Sequence, residues 1–271
     1  MRDPDILQEV PEAGAPERVA TLYDQIRRGM RVPMVALFYR NLAGIDGALE
    51  WMWDVIAPLL DDGRLAVTAA RIARTGTLDP LSPLDAAPGA IDVIDAYNRA
   101  NPLNFTCAAI LAHLLAGERA SGGPNRGGAE SSVVPLCDAP EALPEMVETT
   151  AISPALQSGI GLLETSDTAG DGIIPSLYRH LAHWPDFLGE AIGALAPRFA
   201  DGSLQTAARK IATAGREETA ALIAGATIAP LPAALVTHRD AVSTSVEKFS
   251  RRIPEMIVVG RLLATATHKE D

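Results

Sequence analysis

The chain repeats itself. Sliding the 271-residue sequence by 139 positions aligns residues 39–76 with 178–215 without a gap, and fourteen of the 38 positions are identical. About three matches are expected by chance in one register of an alanine-rich chain, so the match marks an internal repeat. The shared residues include Tyr39-Arg40 with Tyr178-Arg179, Ala57-Pro58 with Ala196-Pro197, Asp62-Gly63 with Asp201-Gly202, and Gly76 with Gly215. At a shifted offset, Tyr97-Asn98-Arg99-Ala100-Asn101-Pro102 echoes Phe249-Ser250-Arg251-Arg252-Ile253-Pro254, each ahead of an apolar run. Two such units are expected to form a pseudo-twofold pair, like a homodimer fused into one chain. The interface of such a pair is a common place for a ligand pocket.

Each unit reads as helices. Aromatic residues are only 4% of the chain and alanine and leucine dominate, which favours helices packed through small residues over sheets. Pro16 opens a helix carrying Val19, Leu22, Tyr23, Ile26 and Met30 at helical spacing. Pro33 opens a second that stops at Gly44, and Asp46 caps a third that bends or ends near Pro58. Leu65 to Arg74 is a fourth, ending at Gly76; Ala90–Ala100 and Leu103–Leu115 are the last two. The second unit repeats this from Pro154, and no strand alternation or hairpin signal appears. The expected architecture is all-α, with two pseudosymmetric repeats at 1–116 and 151–271. A Gly- and Pro-rich connection, 117–150, joins them.

A net charge of −11 makes general binding to nucleic acid or an anionic membrane unfavourable. The uncharged stretch Thr219–Val236 is rich in alanine and holds Pro230 and Pro232, so no membrane span is expected. The start of the chain has no apolar secretory core, and Cys107 and Cys137 form no Cys-x-x-Cys pair. They read as two buried thiols of a cytoplasmic protein. No Gly-x-Gly-x-x-Gly, P-loop or Gly-x-Ser-x-Gly is present, which removes the usual nucleotide and α/β-hydrolase readings.

Four segments carry a family resemblance. Leu22-Tyr23-Asp24-Gln25-Ile26-Arg27 followed by Arg31-Val32-Pro33-Met34-Val35-Ala36-Leu37 is similar to the first-repeat signature of the group I 2-haloacid dehalogenases. Tyr97 to Pro102 resembles that family's Asn-Pro segment, Gly127-Gly128-Ala129-Glu130 its inter-repeat loop, and Leu181-Ala182-His183-Trp184-Pro185 its second-repeat Trp-Pro motif. The resemblance implies an all-α fold of two repeats within the AhpD-like helical class, with the active site between them. It implies that an aspartate activates water to displace halide from a small 2-halocarboxylate, without metal or cofactor.

Carried onto this chain, the resemblance places Asn101 at the water-positioning asparagine. Met34, Ala36, Leu37, Asn104, Pro175 and Ser176 fall at pocket positions, with Asn104 standing where the family has tyrosine. Seven residues before Trp184, the catalytic aspartate position holds Leu177, and leucine cannot take a proton. Three explanations stand. Asp171 or Asp167 moves in as the base; His180 or Tyr178 takes the role; or the protein does not dehalogenate and its pocket, dried by Leu177, Met34 and Leu37, binds a small, fairly apolar ligand. The expected partner is therefore a small carboxylate or apolar molecule, with a homodimer as a further expectation.

Other features have structural readings. Tyr39-Arg40 and Tyr178-Arg179 could hold an anion, but each arginine is expected to pair with a carboxylate instead. His180 and His183 share a helix face without a third metal ligand. Trp51, Trp53 and Trp184 are expected to pack in the core or at the seam. Glu164, Asp167 and Asp171 read as a solvated turn ahead of a helix.

Overall fold

The computed structural model describes residues 9–117, 143–170, 173–224 and 226–268. Among these residues there are helices and no strands. Before the 118–142 segment lie α1 (Glu17–Met30), α2 (Leu37–Leu42), α3 (Ala48–Asp61), α4 (Arg64–Ala73) and α5 (Pro88–Ala116). After it come α6 (Pro154–Ile160), α7 (Ser176–Leu181), α8 (Pro185–Ala200), α9 (Ser203–Ala224) and α10 (Arg239–Thr267).

α7, α8 and α9 lie on the stretches that the 139-residue offset aligns with α2, α3 and α4. The six-residue α2 and α7 occupy equivalent stretches, and α5 and α10 are both 29 residues long. The shared Asp-Gly pairs explain one recurring joint. Gly63 (φ 77°) and Gly202 (φ 74°) adopt the left-handed conformation that glycine enters without strain. Each preceding aspartate then accepts from the backbone N–H two residues on, Asp62 from Arg64 at 3.0 Å and Asp201 from Ser203 at 2.8 Å. These bonds satisfy donors that the first turns of α4 and α9 leave open.

The long helices form the centre. α5 and α10 pack against each other more extensively than any other pair, with α4 and α9 alongside. Asn98 Nδ2 donates to the Gly260 carbonyl at 3.1 Å where they meet. A Cβ on Gly260 would stand 2.6 Å from Asn98 Oδ1, so glycine permits this approach. The short helices cross over: α2 packs on α10, and α7 packs on α5.

Two sequence expectations need correction. The sequence predicts two helices, Ala90–Ala100 and Leu103–Leu115, yet α5 runs unbroken through Pro102, as α10 runs through Pro254. A proline inside a helix removes one backbone bond and strains the preceding turn. Here burial of α5 on both sides of Pro102 offsets that cost, with Ala100, Asn101, Leu103, Asn104 and Phe105 all buried. The second helix begins at Leu37 rather than Pro33 and ends at Leu42, because Ala36 is still extended (ψ 149°). No helix among the described residues is long and apolar enough to cross a membrane.

Candidate functional site

The seam between α5 and α7 gathers several of the residues singled out from the sequence. Tyr97, Asn101 and Asn104 recur along one face of α5 at spacings of four and three residues. Opposite them, Ser176 and Leu177 lie one turn before His180 on α7. The Tyr97 hydroxyl lies 2.8 Å from His180 Nδ1.

The tautomer of His180 follows from its partners. Its Nε2 is 3.1 Å from the Pro144 carbonyl, which can only accept, so Nε2 carries the proton and Nδ1 accepts from Tyr97. Burial at 3% exposure disfavours the cation and lowers the His180 pKa to about 4. At neutral pH this imidazole is uncharged and both nitrogens are engaged. His183 donates from Nε2 to the Glu145 carbonyl at 2.7 Å, so the two histidines hold adjacent carbonyls of the segment leading into α6. No cluster of His, Cys, Asp and Glu suited to a metal ion occurs among the described residues.

Leu177 is 1% exposed. Asn101 is 6% exposed, and its Nδ2 has no hydrogen-bond partner among the described residues. A buried amide donor left unpaired costs about 1–3 kcal/mol, so this atom is open to an acceptor that the described residues do not supply. Asn104 and Pro175 are buried, and Ser176 is half-buried. Met34 is buried, with Ala36 and Leu37 half-buried at the entry to α2. That entry is tied down where Val35 N–H donates to Glu12 Oε1 at 2.9 Å, and Glu12 also pairs with Arg27.

The other candidate bases are placed differently. Asp167 is held by Arg209 through two bonds of 2.8 and 2.9 Å, and this pairing keeps its carboxyl below the usual range. The buried Tyr178 hydroxyl has no partner among the described residues, and burial raises its pKa well above the ordinary tyrosine value. Asp171, Cys137 and the Gly127–Glu130 motif lie outside the described residues. Arg40 pairs with Glu9 at 3.0 Å, and Arg179 donates to the Val147 carbonyl and faces Glu148, so both arginines have acidic partners. Trp51 donates to the Ala229 carbonyl, joining the two units, and Trp184 packs over Gly89. Cys107 is fully buried, and burial pushes its thiol up to about 12, which makes it an inert core residue.

The polar role of Tyr97 escaped the sequence reading, although the repeat contained a clue. The 139-residue offset that maps α2 onto α7 pairs Asn41 with His180. Asn41 accepts from Ser245 on α10 while His180 accepts from Tyr97 on α5. Each short helix thus sends one polar side chain to a long helix far away in the sequence.

The described residues define an all-α protein in which buried polar groups meet at the seam between the long α5 and the short α7. No family model matches the chain, and no curated protein sequence matches it. Solved structures do match. A D-2-haloacid dehalogenase mutant in complex with D-2-CPA superposes with a TM-score of 0.76 at 19% identity, covering 97% of this chain and 96% of that one. A further D-2-halacid dehalogenase mutant gives 0.74 at 18% identity, covering 98% and 97%. A D-2-haloacid dehalogenase in complex with L-LA gives 0.70 at 17% identity, covering 98% of each chain. The chain has the all-helical fold of the D-2-haloacid dehalogenases along nearly its whole length.

Proposed function

We propose that the chain binds a small 2-substituted carboxylate, or a similarly small and fairly apolar molecule, at the α5–α7 seam without displacing halide from it. The carrying observation is Leu177, buried at the position where the dehalogenase resemblance calls for the base. Displacement of halide by water needs a group to accept the proton, and loss of that group costs roughly 10²–10⁴ in rate. Asn101 supports the binding half of the reading: its unpaired Nδ2 offers a hydrogen bond to a carboxylate, carbonyl or water. The fold neighbours bind small acids, as the complexes with D-2-CPA and L-LA describe.

A second reading rests on the 2.8 Å contact between Tyr97 and His180. In it, attacking water would pass a proton to the Tyr97 oxygen as Tyr97 passes its own to Nδ1, and halide would leave with the bonding electrons. The lowered His180 pKa opposes this step, because the imidazolium it creates is buried.

Leu177→Asp tests the first reading. If the missing carboxylate is what prevents turnover, the folded variant releases chloride from 2-chloropropionate and Leu177→Asn does not. A folded Leu177→Asp that binds the acid yet releases no chloride contradicts it. Chloride release by the unaltered protein, abolished by His180→Gln, would favour the second reading.

A further inference from the structure

A cavity of about 650 Å³ opens between α5, α9 and α10, beside the segment that holds Ser166 and Asp167. It lies apart from Asn101 and Leu177, neither of which lines it. Its origin is legible in residue size. Ala109, Ala112 and Ala116 of α5 face Ala208 and Ala212 of α9 across it. Methyl groups at facing positions leave space that larger side chains would fill.

The polar groups are arranged unevenly. Glu255 lines the interior at 1% exposure, but it accepts from the Thr165 and Thr168 hydroxyls and pairs with Arg252 at 3.3 Å. That acid is compensated inside the protein. At the rim, Arg209 pairs with Asp167 and Arg251 with Glu247. Among the described residues, the exposed Arg216 forms no ion pair and the buried Ser250 Oγ in the wall has no hydrogen-bond partner. Among the described residues, Arg216 is therefore the arginine at the mouth of this alanine-lined cavity that has no ion-pair partner, in a chain of net charge −11. An amphipathic anion matches that pattern, with its charge at the rim and its carbon chain on the apolar wall.

We propose that this cavity is a second ligand site, which takes a medium-chain monocarboxylate with the carboxylate on Arg216 and the chain along α5 and α9. The Ser250 hydroxyl supplies a further hydrogen bond to a polar atom of the ligand. This goes beyond binding at the α5–α7 seam and does not depend on it.

Calorimetric titration of the full chain with octanoate tests the proposal. Saturable one-to-one binding is expected, weakened at least about tenfold in Arg216→Glu, retained in Arg216→Lys, and abolished in Ala212→Phe, which fills the void. Octan-1-ol, which lacks the charge, is expected to bind at least about tenfold more weakly than octanoate. Because Arg216 is exposed, Arg216→Glu decides the matter even if Ala212→Phe does not fold. Absence of saturable heat, binding at many equivalent sites, or octanoate affinity unchanged in Arg216→Glu would overturn the proposal. Titration with 2-chloropropionate separates the sites: its binding at the α5–α7 seam should be unaltered in Arg216→Glu.

Discussion

His180 is a histidine that the fold keeps neutral. Its pKa falls from 6.5 to about 4 on burial, so between these pH values the unfolded chain binds more protons than the folded one. Stability should therefore be complete above pH 6.5 and decline as pH falls to about 4. The His180 contribution to that loss is on the order of 3 kcal/mol. Urea unfolding at steps between pH 7 and 4 would measure the slope, and His180→Asn should flatten it. Asn101 gives the opposite kind of prediction. Its unpaired Nδ2 is a cost to the empty protein, and replacing such a group with an apolar one of similar shape is neutral or stabilising. Asn101→Leu should leave stability unchanged or raise it by up to about 1 kcal/mol. The same variant should lose at least about tenfold in affinity for 2-chloropropionate. A drop in stability of more than about 1 kcal/mol would mean that the amide has a structural role.

At the scale of the elements, the repeated glycines show which sequence signals carried structural meaning. Gly76 and Gly215 are partners in the repeat, and both mark close approaches. A Cβ on Gly76 would stand 2.3 Å from the Ala207 carbonyl oxygen, and one on Gly215 would stand 2.3 Å from Phe105 Cε1. Gly189, on an exposed face of α8, has nothing within 4 Å of such an atom. Gly215→Ala should therefore destabilise by about 1–3 kcal/mol through overpacking. Gly189→Ala should stabilise by about 0.5–1 kcal/mol, because alanine suits a helix interior better. Thermal unfolding of the two variants provides the comparison. The helices themselves were legible because apolar spacing and Pro16, Gly63 and Gly76 stand at real boundaries. The continuity of α5 through Pro102 was not, because it depends on burial against α10, which no local signal contains.

For the molecule as a whole, fold and chemistry were legible to different degrees. The all-helical class followed from composition and helical periodicity, and the crossing of α2 onto α10 and α7 onto α5 extends that reading into three dimensions. Of the candidate site, the family resemblance marks Asn101, Leu177 and Ser176, whereas the Tyr97–His180 bond joins residues 83 apart and only the folded chain brings them together. The cavity beside Arg216 was invisible in the sequence, since alanines on α5 and α9 become a void only once those helices face each other. A dehalogenase-like fold with Leu177 where the resemblance calls for the base should hold its ligand without releasing halide. Halide release from R- and S-2-chloropropionate by the purified, folded, unaltered protein tests that claim most directly. The account predicts no release above the uncatalysed rate with either enantiomer; sustained release from either one would contradict it.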